Sequence, residues 1–85
     1  MDNYSETKEI INQMASVKMY MNSHKGEIER VDSATLLQML RKEVDELELA
    51  INSGGYMNII EEASDIQNFL VGLVTQQIAV NRDSK

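Results

Sequence analysis

Apolar residues recur at three- and four-residue spacing along three stretches of the chain, which predicts an all-helical (all-α) protein. In the first stretch, roughly Tyr4 to Met21, the stripe is Ile10, Met14, Val17 and Met21. The second starts after Asp32 or Ser33, either of which suits an N-cap, and carries Leu36, Leu37, Leu40, Val44, Leu47 and Ile51 along one face. It stops at Asn52-Ser53-Gly54-Gly55, a strong C-terminal signal. The third runs from about Met57 to Val80, with Ile59, Ile60, Ala63, Ile66, Leu70, Leu73 and Val74 as its main stripe and Phe69 and Val71 outside it. That apolar width exceeds what two neighbouring helices cover, so a partner subunit is expected, giving a homodimer or homotetramer. The pattern breaks at Asn22-Ser23-His24-Lys25-Gly26, no repeat is present, and one domain over 1–85 is predicted, with residues 81–85 as a frayed tail.

Composition sharpens this picture. A chain of 85 residues buries only about 60% of its unfolded surface, a thin margin that also favours assembly. There is no cysteine, so neither disulfides nor thiolate metal sites reinforce the core. The polar, acidic start Met1-Asp2-Asn3-Tyr4-Ser5-Glu6 lacks the order of a secretory signal, and no apolar run reaches membrane-spanning length, so a cytoplasmic protein is expected. With 14 acidic and 8 basic residues the net charge is -6, which disfavours nucleic-acid or anionic-membrane partners. A phosphate-bearing ligand would need a cation to mediate.

The candidate chemistry lies in four acids. Glu43 and Glu46 are three residues apart and share one edge of the second helix; Glu62 and Asp65 repeat the arrangement on the third. Counted outward from Gly54, Glu46 and Glu62 lie eight residues away, and Glu43 and Asp65 eleven. A turn at Gly54-Gly55 would therefore bring the acids together in two matched levels. Four like charges so placed repel unless a cation lies between them, and oxygen-only ligands favour magnesium, manganese or calcium; magnesium, with manganese as a substitute, keeps positions open for water and phosphate oxygens. A di-iron carboxylate site is disfavoured, because its Glu-x-x-His elements are missing and the one histidine, His24, lies outside the acid pairs. Taken singly, each pair reads more simply as a solvated helix face, and Asp45, Glu48 and Glu61 are read that way.

Lys42-Glu43-Val44-Asp45-Glu46-Leu47 and then Glu61-Glu62-Ala63-Ser64-Asp65 resemble the ExxE and ExxD motifs of the MazG-like, all-α nucleoside triphosphate pyrophosphohydrolases. The likeness runs from about Lys25-Gly26 through Leu73. Lys42 departs from it, since many relatives have a further glutamate there. Asp65-Ile66-Gln67-Asn68-Phe69 and His24-Lys25-Gly26 are similar to small, often phage-encoded members, for which a host-cytoplasmic location is implied. By that resemblance Asn68 and Lys25 contact the nucleotide, a carboxamide suiting base or sugar hydroxyls and an ammonium suiting phosphates. The alternatives are plainer: a solubilising surface lysine, and an asparagine that bonds between subunits.

The resemblance further implies cleavage of a (d)NTP to (d)NMP and pyrophosphate, with Glu43, Glu46, Glu62 and Asp65 as metal-holding and catalytic residues. Glu46 is the first choice as ligand and possible base. No Walker loop, Ser-His-Asp set or cysteine nucleophile competes with this reading. Two other functions fit the same fold: a non-catalytic helical interaction protein, and a nucleotide-binding sensor.

Overall fold

The structure, a computed structural model, describes residues 2–22 and 30–83 and consists of three helices, α1 (Asn3–Asn22), α2 (Ser33–Ser53) and α3 (Tyr56–Asp83). No strand occurs among the described residues. The break containing His24, Lys25 and Gly26 lies outside them, as does the side chain of Met21.

Each helix of the α2–α3 hairpin begins or ends for a local reason. Asp32 caps α2: its Oδ2 accepts from the Thr35 backbone N–H at 3.2 Å while the Thr35 hydroxyl donates to Oδ1 at 2.7 Å. Gly54 ends it with φ of 75°, donating its N–H to the Ala50 and Ile51 carbonyls. Only glycine takes that left-handed conformation without a Cβ penalty. The chain re-enters helix within two residues, so α2 and α3 are antiparallel neighbours. At 28 residues and about 1.5 Å of rise each, α3 accounts for the 44 Å length of the molecule. It continues through Asn81, Arg82 and Asp83, where the sequence pattern suggested fraying; Arg82 in the last turn complements the negative end of the helix dipole.

α3 is the central element, packing against both α2 and α1. Its buried residues are Ile60 and Ser64; Leu36 and Ala50 are the buried residues of α2, and Ala15 is that of α1. The small residues Ala15 and Ser64 allow α1 to approach closely, and polar bonds fasten it. The Gln67 amide donates to Asn12 Oδ1 at 2.8 Å, the Asn68 amide to the Ala15 carbonyl at 2.9 Å, and the Ser64 hydroxyl lies 3.4 Å from the Ile11 carbonyl.

This docking corrects the expected stripe of α1. Met14 of that stripe is half-buried, but Ile10 and Val17 are exposed, and Ile11, Ala15 and Lys18 turn inward beside Met14. The apolar period along α1 is outweighed by a polar and small-residue interface, which apolar spacing does not register. In α2 the inward row is Leu36, Leu40, Leu47 and Ala50, while Leu37, Val44 and Ile51 stand on an exposed flank. Phe69, outside the expected stripe of α3, is half-buried.

Candidate metal centre

Glu43, half-buried on α2, and Glu62 and Asp65, half-buried on α3, each offer a carboxylate oxygen within 4.8 Å of the others. The local reason is helical. Glu43 falls one turn beyond Leu40 on the inward row of α2, and Glu62 and Asp65 are three apart on α3. The Gly54 turn then sets the two edges side by side. Glu46 stands beside this triad, outside the set of mutually close oxygens, yet near enough for its charge to act on both Glu43 and Glu62. Three of the four predicted acids are thus brought together, with the fourth as their neighbour.

The electrostatics are those of crowded, half-dry carboxylates. Burial, followed by hydrogen bonding with Glu62 and Glu46 and the charges of Glu46 and Asp65, pushes the Glu43 carboxyl up to about 7. Burial raises Glu62 as well, and the charges of Glu46 and Asp65 add to it, partly offset by its hydrogen bond with Glu43. The Oε2 atoms of both glutamates are buried and meet no donor among the described residues. A carboxylate oxygen buried without a donor is costly. A cluster of carboxylate oxygens of this kind could hold a metal ion through Glu43, Glu62 and Asp65.

No protein-family model matches the chain, and comparison with curated proteins and with solved structures finds no match. The reading of the site therefore stands on its own residues.

One residue of the site was not foreseen. Lys18 of α1 reaches across to α3, its Nζ 3.0 Å from Asp65 Oδ1 and 3.4 Å from the Glu61 carbonyl. The signal was its register: Lys18 lies seven residues after Ile11 and four after Met14, on the side of α1 that turns inward. Asn68 lies on α3 with its amide nitrogen committed to the Ala15 carbonyl, so the bundle itself uses the donor. Lys25 lies outside the described residues. Asp45 and Glu48 are exposed, as a solvated face requires, whereas Glu61 is half-buried. No helix among the described residues is long and apolar enough to cross a membrane.

Proposed function

We propose that this chain is a MazG-like, magnesium-dependent nucleoside triphosphate pyrophosphohydrolase, converting (d)NTP to (d)NMP and pyrophosphate. The observation that carries the reading is the pair of buried, donorless oxygens on Glu43 and Glu62, placed with Asp65 on two antiparallel helices. These are acids of the ExxE and ExxD motifs, at the positions the resemblance assigns to metal binding.

In this reading Glu43, Glu62 and Asp65 hold the ion. A divalent ion bound there supplies charge neutralisation for the triphosphate and makes a water easier to deprotonate. Glu46, beside the triad and not one of its mutually close oxygens, takes the proton of the attacking water. The water oxygen bonds to the α-phosphorus, the bond from that phosphorus to the bridging oxygen breaks, and pyrophosphate leaves with the electron pair. The test is to incubate pure protein with each (d)NTP and magnesium and measure pyrophosphate. Release that stops on chelation is expected. No release from any nucleotide overturns the reading; tight binding of a non-hydrolysable triphosphate without turnover would mark a sensor instead, and no response to magnesium an interaction protein.

Assembly into a homodimer or a larger homo-oligomer belongs to the same proposal. The chain exposes 6508 Å² of surface, against about 5,100 Å² for a monomer of its mass, an excess larger than the roughly 800 Å² each partner contributes to a standard interface. Leu37, Val44 and Ile51 repeat every seven residues along the exposed flank of α2, and Leu70, Val74 and Ile78 every four along α3. By the helical period of about 100° per residue, Glu46 falls on the opposite flank of α2 from Val44, so a partner seated on the apolar flank leaves the acids open. Sedimentation equilibrium at micromolar concentration is expected to give a multiple of the 9.7 kDa chain mass; a monomer overturns the assembly.

A further inference from the structure

We propose that Lys18 is a substrate-binding residue stored on the metal site: its ammonium holds Asp65 in the bare cluster and turns to a phosphate oxygen when a divalent ion claims that carboxylate. This rests on the pyrophosphohydrolase reading and adds to it the residue that grips the substrate's phosphates.

Three features carry the inference. The first is reach. Lys18 comes from a different helix, 47 residues away in sequence from Asp65, and its side chain is only 22% exposed. Ordering and partly burying a lysine costs rotamer freedom and hydration, which an incidental surface contact does not demand. The second is incomplete service. The ammonium meets Asp65, yet the buried Oε2 atoms of Glu43 and Glu62 are left without a donor, so Lys18 neutralises one edge of the cluster and leaves its centre for another cation. The third is the second anchor. The Glu61 carbonyl, at 3.4 Å, carries no net charge and is no member of the triad, so it can keep the lysine beside the site after Asp65 is given up.

Two positive charges cannot share Asp65 comfortably. With a divalent ion on the triad, the ammonium is repelled from Asp65 and drawn to the nearest anion, which is the triphosphate bound to that ion. The flexible four-carbon stem and three rotatable donors of lysine suit this short transfer, and an ammonium is a common point-charge partner for phosphate. The ion pair of Lys18 lies on a cluster acid, Asp65.

The experiment uses Lys18→Met, which keeps the stem and removes the charge, and Lys18→Gln, which keeps a donor for the Glu61 carbonyl. Titration calorimetry with magnesium chloride alone is expected to show about fivefold tighter binding in both variants, because the competing ammonium is gone. The KM for the triphosphate is expected to rise about tenfold with kcat changed less than about threefold, the pattern of a lost ground-state contact. Magnesium binding unchanged or weakened in both folded variants overturns the inference while leaving the metal reading intact, as does an unchanged KM. Failure of the unaltered protein to bind magnesium overturns the metal reading itself. If Lys18→Met does not fold, Lys18→Gln carries the same comparison.

Discussion

Glu62→Gln is expected to lower pyrophosphate release by about 10²-fold or more while making the metal-free protein harder to unfold at pH 8. The two effects have one cause. Glu62 brings a buried, donorless oxygen to a group of like charges, which costs folding free energy when no cation is present. An amide of the same shape removes one charge and adds a donor that Glu43 can accept from. The same change takes an oxygen ligand from the metal and weakens its hold. Residues kept for packing do not behave this way, since their replacement lowers stability along with activity. Initial rates with saturating magnesium, paired with urea midpoints in chelator, provide the measurement. A variant that is both inactive and less stable without metal would assign Glu62 a structural role; one that is fully active would remove it from the site.

The second large effect is an inverted dependence of stability on pH. The Glu43 carboxyl is pushed up to about 7, chiefly by burial and then by its hydrogen bonds with Glu62 and Glu46 and by the charges of Glu46 and Asp65, from an ordinary value of 4.5. Between those two values the folded protein holds a proton that the unfolded chain has released, so stability declines as pH rises through this window. The contribution is fully present below about 4.5 and lost above about 7, and Glu62, also raised, acts in the same direction. Allowing for solvent at the half-buried cluster, the loss is about 1–2 kcal/mol, or roughly 4–16 °C in Tm for a chain of this size. Thermal melts in chelator at pH 5 and pH 8 would read it directly. Asp2 and Asp32, whose carboxyls are lowered by their cap hydrogen bonds, stay ionised throughout and do not contribute. Glu43→Gln is expected to flatten the profile. Magnesium is expected to restore stability at pH 8 and to do little at pH 5, where protons occupy its place. Equal or greater stability at pH 8 in chelator would show that the cluster is not the crowded site described.

How far the sequence revealed this arrangement depends on what holds each helix. The limits of α2 were legible because Asp32 and Gly54 have strong, local reasons to be where they are. The facing acid pairs were legible because a tight glycine turn fixes the register of two straight helices. α1 was misread in its rotation. Its contact with α3 is made by Ala15, Ser64, Gln67 and Asn68, small or polar residues that carry no apolar period, so Ile10 and Val17 drew attention to the wrong face. Lys18 was missed for a related reason: a lysine in a helix reads as solvated until its partner on another helix is known. Glu46 was the first choice among the acids as ligand and possible base, and it stands outside the set of mutually close oxygens.

The left-handed Gly54 turn has a consequence for how this chain can vary. Because both acid pairs are carried on rigid rods joined at that point, the site is sensitive to the number of residues between Glu46 and Glu62 more than to their identity. A substitution in that interval changes packing locally. One inserted residue would rotate everything beyond it by about 100° and carry one pair of carboxylates out of sight of the other. The segment is therefore a gauge: the chain can change its composition there, but not its length.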